Sequence, residues 1–305
     1  MGRYLVRRLA HAGLVVIGVT LVAFFLTRMT GDPVRLLAPL DATEEEVELL
    51  RTQLGFNRPL YVQFLEYMRG VLVLDFGESL RHGEPAMRLV LERMPATLQL
   101  SLAALLLALA VAIPIGVVSA TRRGGLLDGL GTLLALLGQS MPVYWLGILL
   151  IIVFGVQLRW LPAGGRAGWT SYILPAVTLA AYTCASIMRL LRSSLLNVLS
   201  QDFIRTARAK GLGERRVIYR HALRNALLPV VTVVGLQMGS LLSGSVITET
   251  IFAWPGVGRF VVQAIFNRDF YVVQAAVFLF ALIIVAINLV TDLVYALLDP
   301  QIRYA

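Results

Sequence analysis

The sequence predicts an all-α integral membrane protein with six transmembrane helices, both termini cytoplasmic, and a helical extracytoplasmic insertion after the first span. Three observations carry this expectation. Apolar residues make up 58% of the chain and charged residues 15%, with a mean hydropathy of +0.77, far from the mixture of a soluble domain. Six apolar stretches fall at 9–26, 98–121, 130–158, 173–191, 227–248 and 272–298, close to the ~20 residues an α-helix needs to cross the hydrocarbon core. Cations collect on alternate connections, which sets the orientation.

The first stretch follows Arg3, Arg7 and Arg8, as a secretion signal would, but Thr27-Arg28-Met29-Thr30 replaces the small-x-small cleavage pattern, so it is expected to remain as a span. Residues 28–97 then form the insertion, and 28–96 carry 11 of the 18 acidic residues. Thr43-Glu44-Glu45-Glu46 is a capping box, Gly55 is a helix end, and Pro59 opens the next helix. Both an outer cap packed on the spans and a docking surface for a delivery protein fit this region. With the amino terminus inside, inner segments hold Arg3, Arg7, Arg8, Arg122, Arg123, nine cations from Arg189 to Arg224, and Arg303, or 15 of the 27 Lys and Arg residues. Most of the outer cations lie in the long insertion, which obeys the positive-inside bias weakly. The net charge of +9 follows from this bias and gives no separate support for nucleic-acid binding.

The chain has little chemistry of its own. Its one lysine, Lys210, is preceded by Ala209 and followed by Gly211, which is not the Gly-Lys-[Ser/Thr] arrangement that brings a lysine to phosphates. Serine-nucleophile elbows, paired metal-binding histidines and paired cysteines are missing from the sequence. Cys184 occupies an apolar helix position and reads as a packing residue, while His11, His82 and His221 are too scattered to suggest a metal cluster. Carboxylates that would run a proton- or sodium-coupled carrier are nearly lacking from the spans: Asp292 and Glu249 sit near span ends, and His11 lies close to the inner face. No carbonyl filter or acidic ring of a channel appears either. Energy for any transport must therefore enter from outside this chain.

The connection 192–228, between the fourth and fifth spans, is the candidate entry point. Phe203, Ile204, Ala207 and Gly211 recur at spacings of three and four, a short amphipathic helix with Asp202 as its N-cap. Arg205, Arg208 and Lys210 project between them, and Gly211-Leu212-Gly213 turns the chain. Such a helix can lie on anionic headgroups or enter a protein groove; the small residues Ala207, Ala209 and Gly211 favour the groove because they permit close backbone approach. On the fifth span, Gly235 with Gly239 and Ser240 with Gly244 are spaced for close helix crossing. Gln139, Ser140, Gln237, Ser243, Ser245 and Asn288 are the polar side chains able to line a passage. Residues 249–268, with Trp254-Pro255-Gly256 as a turn and Phe252 and Phe260 at the membrane interface, are expected to shape an outer gate.

The loop RTARAKGLGERRVIYRHALRNALLP resembles the cytoplasmic EAA-type loop of bacterial ABC-importer inner-membrane permeases, specifically the dipeptide, oligopeptide and nickel family. LGFNRPLYVQFLEYM, LERMPATLQLS, GQSMPVYWLG and GLQMGSLLSGSVITETIFAWPGVGRFVVQAIFNRDFYVVQ extend the resemblance over nearly the whole chain. The family's Glu-Ala-Ala positions fall on Arg205, Thr206 and Ala207, and its glycine on Gly211; only the second Ala and the Gly are kept, a departure that resembles the peptide-permease branch. The resemblance implies that residues 1–305 form one transporter transmembrane domain of the bacterial inner membrane, non-catalytic and without a cofactor of its own. It implies a coupling helix around residues 203–213, with Phe203, Arg205, Ala207, Lys210, Gly211 and Leu212 meeting an ATPase. The implied partners are a second related permease chain, two cytoplasmic ATPase subunits that bind ATP and Mg, and an extracytoplasmic substrate-binding protein. Dipeptides or oligopeptides are the expected cargo; nickel chelates, glutathione and oligosaccharides stay open.

Overall fold

The computed structural model describes residues 2–29, 34–35, 38, 42–53 and 55–298, and no named strand occurs among them, only an isolated bridge between Glu78 and Pro85. The helices are α1 (Gly2–Met29), α2 (Glu44–Gln53), α3 (Leu60–Leu72), α4 (Ala86–Thr121), α5 (Leu126–Ser140), α6 (Val143–Leu150), α7 (Ile173–Leu199), α8 (Asp202–Ala209), α9 (Glu214–Arg216), α10 (Leu228–Ile251), α11 (Val257–Phe266) and α12 (Phe270–Leu298). A π-helical segment, Ile151–Gln157, prolongs α6, and another, Val217–Ala222, leads from α9 into the short helix Leu223–Ala226. Arg303 and Thr30, and the side chains of Arg3, Arg7 and Asp292, lie outside the described residues.

The chain divides into two compact units. One is Met1–Ala96 with Gly256–Val285. Within it the capping box forms as the sequence requires: the Thr43 amide donates to the Glu46 carboxylate at 2.8 Å, and the Glu46 amide donates to the Thr43 hydroxyl at 3.3 Å. Gly55 follows α2 in the left-handed region at φ +73°, and Pro59 stands immediately before α3. Phe24, fully buried on α1, packs against Phe64 and Tyr67 of α3. Tyr67 continues the aromatic row to Phe76, which packs on Phe278 of α12. Phe260, placed at the interface by the sequence reading, is buried in this core instead, under the Arg93 guanidinium at 3.9 Å from its ring centre. Asp269, itself buried, accepts from the Ser79 hydroxyl at the start of α12.

The other unit is Thr97–Pro255 with Ala286–Ala305. Among the described residues of the whole chain, four uninterrupted helical stretches are long and apolar enough to cross a bilayer: Ala86–Thr121, Trp169–Leu199, Leu228–Ile251 and Phe270–Thr291. They correspond to the second, fourth, fifth and sixth expected spans. Helix α4 begins at Ala86, so the expected end of the insertion at residue 97 falls inside a continuous helix. The apolar part of α1 among the described residues, Gly13–Phe25, is shorter than these.

The third expected span, 130–158, is not one helix. It is α5 and α6 with its π-helical extension, bent by 106°. The cause is Pro142: it has no amide proton to continue the ladder, and its ring forces Met141 out of the helical region to φ −80°, ψ 125°. Hydropathy averaged over the stretch masks this point, and the proline is the sign of the break.

The small residues of α10 serve different neighbours rather than one crossing. A Cβ on Gly235 would lie 2.1 Å from the Thr291 methyl of α12, and one on Gly244 would lie 3.3 Å from Leu179 of α7, but one on Gly239 would meet nothing within 4 Å. Gly235→Ala should therefore force α10 and α12 apart at a cost of about 1–3 kcal/mol, the usual overpacking range, and lower the melting temperature in detergent. Gly239→Ala should leave it unchanged; equal melting temperatures for the two variants would contradict this packing.

Candidate coupling surface and solute path

Helix α8 is the amphipathic helix its spacing predicts, but its two faces are not used as expected. Ile204 and Ala207 are 0% and 7% exposed and sit in the chain's own core, with Leu212 packed against it. That core also holds Ala112, Val117 and Ala120 of α4, Ala135 of α5, Leu191, Leu195 and Val198 of α7, and Val230 of α10. Ala207 is thus closed to a partner's approach. Phe203, Arg205, Thr206, Ala209, Lys210 and Gly211 are exposed and form the free face.

The ends of α8 explain its direction. Asp202 is its first residue rather than the N-cap, which is Gln201; its carboxylate pairs with Arg205 at 3.2 Å. An acidic side chain there still meets the positive end of the helix dipole. At the other end Gly211, at φ +76°, donates its amide to the Arg208 carbonyl, and Leu212 donates to the Ala207 carbonyl. This is a Schellman ending, and the contact of Leu212 with the core that holds Ala207 is its usual apolar companion. Arg208 turns back to bind Glu214 through both carboxylate oxygens, at 2.7 and 3.3 Å, which holds the Glu214 carboxyl below its ordinary range and the guanidinium above its own.

The reading from sequence missed a second anchor. Asp128, at the start of α5, receives the Arg192 guanidinium of α7 at 2.7 and 2.8 Å and the Gly124 amide at 3.0 Å. The sequence places Arg192 at the start of the connection 192–228, but α7 continues to Leu199. A signal was present: Asp128 is the sole carboxylate between Glu92 and Asp202, beside cations on both inner connections. The pair ties α5 to α7 about two turns before α7 ends.

The six proposed passage residues differ in exposure. Ser243 is exposed on α10 with its hydroxyl donating to the Gly239 carbonyl, while Ser245 is fully buried and donates to the Leu242 carbonyl. Gln237 is 9% exposed, Gln139 half-buried, and Ser140 and Asn288 exposed. Ser245 and Gln237 therefore serve packing in this conformation. At the far end of α10, Phe252 is fully buried rather than interfacial, and Trp254 of the turn is fully buried beside it. Glu249 is also fully buried and accepts from the Thr97 hydroxyl at 2.6 Å, and Tyr172 meets Trp254 edge-on at 4.6 Å.

Comparison with known proteins follows the same lines. Residues 112–304 match the family model described as the binding-protein-dependent transport system inner membrane component, and residues 1–101 match its N-terminal companion. The glutathione transport system permease protein of Salmonella typhimurium is 44% identical over 284 residues, 93% of each chain. Its Escherichia coli counterpart is 43% identical over the same length and coverage. Among solved structures, a methionine ABC transporter in inward-facing conformations shares the fold at a TM-score of 0.58 and 18% identity, over 70% of this chain and 97% of that one. An amino acid ABC transporter shares it at 0.53 and 15% identity, over 68% and 94%.

Breaking the α5–α7 anchor tests its role. Asp128→Ala strands the Arg192 cation in a partly buried position and should lower the melting temperature; Asp128→Ala with Arg192→Met, which removes both charges, should lose less. A double variant that melts below the single one would contradict the anchor.

Proposed function

This chain belongs to the family of binding-protein-dependent transport system inner membrane components, and we propose that it is a passive gate for peptide-type solutes, worked through α8 by a separate ATPase. As a family member it is a multi-pass protein of the bacterial inner membrane and the permease subunit of an ABC importer. The observation that supports the lever is the division of α8 into two faces. Its inner face shares one core with four span helices, so a push on its outer face reaches them directly.

In this reading Phe203, Arg205, Lys210 and Gly211 meet a cleft on a cytoplasmic ATPase subunit, while Ala207 and Leu212 transmit the load from beneath. ATP and Mg are held by two such subunits, and a second, related permease chain completes the passage. An extracytoplasmic binding protein delivers the solute. Coupling requires ATP to favour one permease state over the other by a difference in binding free energy, and a rooted helix transmits such a difference where a loose loop would dissipate it. Peptide-type cargo is supported by the resemblance of the fifth-span segment to peptide permeases and by relatives named for glutathione, itself a tripeptide. Dipeptides, longer peptides and glutathione share a backbone and a free carboxylate, and the proposal extends to that class.

Gly211→Glu tests the lever. A Cβ at Gly211 meets open space, so the damage is the left-handed backbone, which costs a non-glycine residue about 1–2 kcal/mol, and a carboxylate set against the partner. The variant complex should insert normally but lose ATP-driven uptake at least tenfold in reconstituted vesicles. Wild-type uptake by that variant, or uphill accumulation by this subunit alone, would overturn the reading.

A further inference from the structure

Helix α7 shows its surroundings a face unlike those of α4 and α5. Helix α5 exposes Leu126, Leu130, Leu133, Leu134 and Leu137, and α4 exposes Leu91, Leu98, Leu102 and Leu106, as faces toward lipid tails should. The exposed positions of α7 are Val177, Tyr182, Ser193 and Asn197. With the half-buried Ser186 and Arg189, the polar ones form a stripe at 182, 186, 189, 193 and 197, on one helical face over ~22 Å at 1.5 Å per residue. Polar and charged groups within a span are costly against hydrocarbon and are found facing water-filled cavities or protein.

Arg189 is the chemical centre of this stripe. It lies ~24 Å along the axis from Ile173, at the inner end of the span and one turn before the Asp128 pair. Arg192, one turn on, is neutralised by Asp128, whereas the Nε of Arg189 is buried with no hydrogen-bond partner, and no carboxylate among the described residues pairs with it. The buried Nε–H is costly until it meets an acceptor, and on this half-buried residue the planar fork of donors matches a carboxylate.

We propose that Tyr182, Ser186, Arg189 and Ser193 line the solute passage and that Arg189 receives the carboxylate of the transported solute. This rests on the reading of the chain as a peptide-type importer. It also links cargo to motor, because Arg189 stands on the helix that ends at α8, one turn from the α5–α7 anchor.

The test uses the complete transporter with its binding protein in vesicles. Cys184 is the sole cysteine, so Cys184→Ser gives a background in which Ser186→Cys and Ser193→Cys are read singly with a water-soluble maleimide. Uptake of trialanine and of its C-terminal amide is measured in parallel for wild type, Arg189→Gln and Arg189→Lys. Labelling of both cysteines, with an Arg189→Gln loss of at least tenfold for the acid, less for the amide, and partial recovery by lysine, supports the proposal. Equal loss of acid and amide overturns it, since that is the mark of a structural role or a partner-chain contact. Unlabelled cysteines in an active transporter also overturn it, placing the stripe against lipid headgroups or the second permease. A wild-type complex that imports neither compound defeats the peptide-import reading, and the labelling still decides the stripe.

Discussion

The constraint on which the rest of the structure depends is the burial of the α8 underside in the core that packs the spans. Ile204 alone, with no exposed surface, contributes about 1.5–3 kcal/mol by leaving water. Ala207 and Leu212 extend the contact, and Val217, Ala222 and Ala226 close the core from the return segment. A helix of eight residues is too short to persist alone in water, since nucleation is costly and tertiary packing must stabilise it. The same packing that makes α8 exist makes it stiff. Its Schellman ending fixes where it stops, and the Asp128–Arg192 pair holds the helix that leads into it.

Much of this was legible in the residues. Long apolar runs name spans because lipid tolerates no unpaired backbone, and the capping box and Gly55 name helix ends because few residue types satisfy those positions. The amphipathic spacing of Phe203 to Gly211 located α8. Periodicity alone could not say which face turns inward. Phe203 and Ile204 are adjacent and both apolar, and only the position of α7 decides that Ile204 enters the core. The capping role likewise shifted by one residue, from Asp202 to Gln201, because the turn from Ser200 sets where helical geometry begins.

What escaped the sequence was long-range or masked by hydropathy. The 106° bend sits in a stretch that averages as one span, and Pro142 outweighs that average because a missing amide proton is a local absolute where apolarity is a sum. Asp128 and Arg192 lie 64 positions apart, and their pairing requires the antiparallel packing of α5 on α7. Phe252 and Phe260 resembled interfacial aromatics, yet each is buried beside the turns that follow α10. The polar passage residues differ in exposure for a related reason. A serine in a helix has a carbonyl one turn back to bond, so polarity alone does not assign it to a channel.

Lys210 closes α8, and it is the one lysine in a chain with 26 arginines. Guanidinium groups do not react under conditions that acylate amines, so the chain offers reagents for primary amines a single side-chain target, exposed at the tip of its proposed lever. A fluorophore or spin label can be seated there on the wild-type sequence, without engineering, and would report from the place where force is expected to enter.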